Sequence, residues 1–102
     1  MSLNNELLAG RVFKMADFTM THGKILLRSP KDSTKGHMCN VDVIFDGVDY
    51  LEIPLLAFCF TFVEPRDEEK NRVENCIGRR LHPHTQVYVL ASKASRFLVV
   101  AD

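Results

Sequence analysis

A mainly β domain carrying one short helix is what the side-chain pattern of this chain predicts. Three observations carry that reading. Most apolar runs alternate at period two, the mark of half-buried strands. Turn-like breaks at His22-Gly23, at Asp46-Gly47 and over residues 92–95 separate such runs. One charged stretch, residues 65–77, instead places its apolar residues at helical spacing. The expected architecture is an antiparallel sheet of about six strands built from three hairpins, forming a small barrel, a sandwich or a curved sheet.

The 102 residues are read as a single domain spanning 1–102, of which Met1, Ser2 and Leu3 resemble an expression-vector remnant. Residues 3–9 add a strand or a helical turn. The first hairpin joins 13–20 to 24–29 across His22-Gly23, where glycine accepts positive φ. In that register Met20 faces Ile25, Phe18 faces Leu27 and Asp17 faces Arg28. Residues 29–37, with Pro30 and Gly36, form a polar loop.

The second hairpin joins 41–45 to 48–53 across Asp46-Gly47, which favours a type I′ turn. It places Val41, Val43, Phe45, Val48 and Tyr50 on one face and a mixed set, including Asp42 and Ile44, on the other. Pro54 interrupts the ladder. In 55–63, Phe58, Phe60 and Phe62 point one way and Ala57, Cys59, Thr61 and Val63 the other. With both faces apolar or small, this reads as a central strand covered on both sides.

The helix is expected over 65–77. Pro65 suits its first position, Asp67, Glu68 and Glu69 complement the dipole of its first turn, and Gly78 suits the residue past its end. Val73, Cys76 and Ile77 form its apolar patch. The third hairpin pairs 85–91 with 96–101 across 92–95, and both of its strands are apolar on both faces.

Composition excludes several classes. Apolar residues make up 46% and charged residues 25%, so a folded core offsets the entropy of ordering. Thirteen basic residues balance thirteen acidic ones, leaving no cationic surplus for nucleic acid. Zero net charge also removes the self-repulsion that keeps copies apart, so self-association is expected alongside a protein partner. The longest apolar run, 55–60, is far short of the ~20 residues of a membrane span, and no signal-peptide pattern opens the chain. Three cysteines, none in a Cys-x-x-Cys motif, read as reduced thiols in the cytoplasm.

Few residues suggest chemistry. His82-Pro83-His84 places two imidazoles on one side of an extended segment, where they are weak metal-ligand candidates; Cys76, Asp49 or His37 would have to complete the set. Two exposed histidines in a turn are the more ordinary account. Asp42, Asp46 and Asp49 lie close in sequence but fit turn and surface positions better than acid–base catalysis. Among the cysteines, Cys59 reads as inert core, Cys76 as disfavoured for a thiolate by its helix end, and Cys39 as the most accessible. Arg66, Lys70, Arg72, Arg79 and Arg80 alternate with acidic residues, as on a solvated helix face. No phosphate loop, nucleophile elbow or zinc-protease helix is present, and no cofactor is expected.

The expected function is a small cytoplasmic protein-binding module without catalytic activity. Its support is surplus apolar surface on 55–63, 87–90 and 97–100, to be covered by a second sheet, a second copy or a partner. The alternatives are a β-barrel holding a small apolar ligand among Phe58, Phe60, Phe62 and Tyr88, and a metal-dependent enzyme or sensor using His82 and His84.

Overall fold

The computed structural model describes residues 5–102. The reading of residues 1–3, and the start of the element expected over 3–9, fall outside them. The chain runs through β1 (Lys14–Thr19), β2 (Lys24–Ser29), β3 (Val41–Phe45), β4 (Tyr50–Glu52) and β5 (Thr61–Val63). Then come α1 (Asp67–Ile77), β6 (Gln86–Ser92) and β7 (Ser95–Ala101), while Asn5–Leu7 and Ser33–Lys35 form 3-10 turns. The strands make two open antiparallel sheets, β1-β2-β3 and β4-β7-β6-β5, which do not close into a barrel.

Three layers result, because β6 and β7 are apolar on both faces. Val87, Val89, Leu98 and Val100 point one way and pack on Val73 of α1. Leu90, Val99 and Ala101 point the other way and meet Phe13, Ile25, Leu27 and Phe45 from the three-stranded sheet side. The surplus apolar surface expected on 87–90 and 97–100 is therefore covered inside the chain, by the helix and the second sheet.

Two of the three expected hairpins form. β6 and β7 pair from Gln86↔Ala101 to Ser92↔Ser95, so the loop is Lys93-Ala94, with Lys93 at φ 52°. β1 and β2 pair as expected but two residues out of the predicted register: Phe18 faces Ile25 and Asp17 faces Leu26. A two-residue shift keeps every side chain on its face, so the face assignments of Phe18, Ile25 and Leu27 survive the error. The loop takes in Met20, which is exposed rather than part of the inner face. A bulge at Ala16 then brings Met15 opposite Leu27. Arg28, expected beside Asp17, instead forms a two-bond ion pair with Asp42 of β3, at 2.8 and 3.0 Å.

The middle hairpin is not a hairpin. β3 makes five pairs with β2, and β4 makes three with β7, so the two strands lie in different sheets. An Asp-Gly turn would have given them at most about five pairs with each other and left β2 and β7 unpaired on those sides. The positive φ of Gly47 (60°) serves to carry the chain across. Three backbone bonds hold the crossing: Val48 N–H to Gly23 O at 2.9 Å, Asp49 N–H to Val100 O at 2.8 Å, and Asp102 N–H to Asp46 O at 3.0 Å.

The central strand expected over 55–63 is also corrected. Only Thr61–Val63 is strand, at the edge of its sheet, and Phe58 adds a single bridge to Phe13. Phe58 and Phe60 are buried as one face, while Ala57, Cys59 and Thr61 face solvent. Cys59 is thus exposed, not core. The helix starts after Arg66, with Pro65 ahead of the cap, and ends at Gly78 in the left-handed region. Arg11, buried, donates to the carbonyls of Ser29 and Cys39 and ties the 30–40 loop to the end of β2.

Candidate functional site

Sheets that do not close have edges, and unpaired edges attract other strands. Among the described residues, three of the four edges are blunted. β1 carries the Ala16 bulge. β4 is three residues long and is flanked by the ion pairs Arg72–Glu52 and Arg79–Asp49. β5 is closed by a side chain: the Asn5 amide donates to Phe62 O at 3.0 Å and accepts from Phe62 N at 2.8 Å. That pair copies what a neighbouring strand would supply.

β3 differs. Its five residues run without a bulge, and among the described residues its outer side pairs with no backbone. A groove of about 230 Å³ follows it, bounded by Leu7, Leu8, Phe62 and Tyr88 on the far side. Val41, Val43 and Phe45 look toward the space between the sheets, and Asp42 and Ile44 look outward. Leu7 and Ile44 are exposed large apolar residues at its rim, at 58% and 54% of their full area. The charged residues that line it are Asp42 and Asp102. Arg28 donates into Asp42 and holds its carboxyl below the usual carboxylate range, so it is ionised at neutral pH.

A second depression, about 640 Å³, lies beside β6 where β5 has ended, near Lys70, Gln86 and Thr85. Its lining is mixed polar and apolar, and the buried Thr85 hydroxyl beside it has no hydrogen-bond partner among the described residues.

The residues singled out for chemistry are mostly kept apart. The His82 and His84 rings stack nearly parallel, 5.6 Å between centroids, and His84 Nε2 lies 3.6 Å from Asp102 Oδ1. The companions considered for a metal are engaged elsewhere: Cys76 Sγ lies 3.9 Å from the Tyr50 hydroxyl, Asp49 pairs with Arg79, and His37 bridges to Asp32. Among the described residues no group of three or more His, Cys, Asp or Glu is placed to hold a metal ion. Asp42, Asp46 and Asp49 each meet a different cation, Arg28, Lys24 and Arg79, and do not converge. All three cysteines are exposed and unpaired.

The rings proposed to line a ligand cavity pack on one another instead. Phe58–Phe60, Phe60–Phe62 and Phe62–Tyr88 centroids are 5.3, 5.5 and 6.4 Å apart. Phe62 and Tyr88 also wall the β3 groove. Sequence reasoning did not single out Asn5, Leu7 or Ile44. The available signal was Ile44, an apolar residue on the otherwise polar face of an alternating strand.

No protein family, curated protein or solved structure matches this chain. No helix among the described residues is long and apolar enough to cross a membrane.

Proposed function

We propose that this chain is a small protein-binding module that works without catalysis in a reducing compartment such as the cytoplasm. The groove along β3 carries the reading: an apolar channel beside an unpaired strand edge, rimmed by exposed Leu7 and Ile44. Apolar surface beside a strand edge whose backbone groups pair only with water favours a protein partner that supplies both apolar side chains and ladder bonds. Three free thiols support the compartment, since reducing conditions keep them so.

Site-specific photo-crosslinking in the producing cells tests it. A photoreactive amino acid at position 7 or 44 is expected to give adducts of discrete mass that the same group at exposed Arg80 does not give. Equal adducts at all three positions, or none at 7 and 44, overturn the reading.

A further inference from the structure

We propose that β3 accepts an extended segment of a partner protein as an added strand, and that this segment alternates apolar residues with Lys or Arg. The inference rests on the binding-module reading and names the partner's chemistry.

The backbone argument comes from the contrast among edges. A bulge, an ion-paired short strand and the Asn5 amide blunt three of them, whereas five consecutive residues of β3 keep an unpaired side among the described residues. Five residues of strand are about 17 Å long, enough to align an extended segment by main-chain bonds alone.

The side-chain argument follows from the period of two. Partner residues opposite Val41, Val43 and Phe45 point into the groove against Leu7, Phe62 and Tyr88, which calls for apolar side chains. The intervening residues lie beside Asp42 and Ile44 on the outer face, with Asp46 just past the strand and paired with Lys24 at 3.5 Å. Among the described residues the groove is lined by carboxylates at Asp42 and Asp102 and by no lysine or arginine. Arg28 occupies one pair of Asp42 lone pairs, leaving two for an incoming donor.

The same charges disfavour a second copy as occupant. A two-fold axis at Val43 sets the two Asp42 carboxylates diagonally adjacent, and an axis at Ile44 sets Asp42 against Asp46 of the other copy. A compact ligand fits poorly too, since about 230 Å³ falls below the ~300–1,000 Å³ of small-molecule sites.

The probe is a fluorescein-labelled, acetylated hexapeptide of alternating valine and lysine, titrated by anisotropy at low salt. It is compared with its glutamate counterpart and with two versions N-methylated on one or the other alternate set of residues. The lysine peptide is expected to bind at least ~10-fold tighter than the glutamate peptide. N-methylation of one set is expected to abolish binding while methylation of the other leaves it, because only one side of an added strand bonds to β3. Asp42→Asn is expected to reduce the lysine preference. Amide hydrogen exchange gives an independent readout: outward-facing β3 amides exchange freely in the free protein and slow when the peptide is present.

The proposal is overturned by no binding up to about 1 mM, by glutamate binding as tightly as lysine, or by equal effects of the two methylated sets. It is also overturned if every β3 amide is already protected in the free protein, which would mean that another part of the chain or a second copy fills the edge. Crosslinks at positions 7 and 44 without any of these peptide effects would leave the binding module standing and remove only the added strand.

Discussion

Glu69 shows how one side chain joins two elements. Its carboxylate accepts from Arg96 Nε and Nη2, both at 2.9 Å, and from the Arg66 backbone N–H at 2.8 Å. It thereby caps α1 and ties the helix to β7. The Arg96 bonds come first in lowering its pKa to about 2 from 4.5, with the Arg66 N–H assisting against the opposing cost of burial. A depressed carboxylate contributes stability above its unfolded pKa and loses it as pH falls through the folded one. Between about pH 5 and pH 2, the unfolded chain therefore binds the extra proton and stability declines with acid. Glu69→Gln is expected to lose about 1.5–3 kcal/mol at pH 7, the scale of hydrogen bonds to charged groups, and to flatten that acid slope. Urea melts at pH 6 and pH 3 check both; an unchanged slope would show that the Arg96 pair does not carry the effect.

Residue chemistry was only partly legible from the chain. The acidic first turn around Glu69 was clear, because helix N-termini favour carboxylates through local geometry. Its Arg96 partner lies 27 positions away, and no local rule links them. Arg28 makes the same point: Asp17 was the nearest plausible partner by hairpin register, but a loop two residues longer gave the guanidinium to Asp42.

At the scale of elements, the β3–β4 crossing depends on two glycines of different kinds. Gly23 has φ 58°, and an added Cβ would lie 3.1 Å from Val48 N and 3.3 Å from Val48 O, both backbone. Gly47 has φ 60°, and an added Cβ would meet the Asp102 carboxylate, which can rotate away. Gly47→Ala is expected to cost about 1 kcal/mol from its positive φ, with little recovered by adding Asp102→Ala. Gly23→Ala is expected to cost more, because the crossing itself must shift and its bond from Val48 N–H weakens. Thermal melts of the single and double variants rank them; a Gly47→Ala loss equal to or above that of Gly23→Ala would contradict the account.

The mistaken hairpin belongs to this scale as well. Asp46-Gly47 is a sound turn signal, and its glycine does adopt positive φ. Local turn preference is worth about 1 kcal/mol, whereas pairing β3 with β2 and β4 with β7 satisfies more backbone and covers the apolar inner face of β7. The long-range choice wins. The hairpin at 93–94 had no such competitor, since its two strands are central neighbours in one sheet, and it formed as read.

For the molecule as a whole, the management of edges decides solubility and binding together. Asn5→Ala removes both bonds that close β5 and exposes the Phe62 backbone beside the groove. It is expected to lower stability by about 1 kcal/mol and to raise the concentration-dependent mass seen by light scattering. An unchanged mass at high concentration would show that the Asn5 amide does not guard the edge. The same reasoning explains why β3 stands out: a fold that blunts its other edges and leaves this one unpaired among the described residues concentrates its capacity for association in one place.

Most of the strand character, the helix with its acidic first turn and closing Gly78, and the alternation of buried and exposed side chains followed from the chain alone, because propensity, capping and period-two geometry act within a few residues. Which strands pair, which edge stays open, and where Arg28, Glu69 and Asn5 find their partners were settled only in three dimensions. Those outcomes compare alternatives that differ by long-range burial and ladder bonds, and no short window of sequence contains both sides of that comparison.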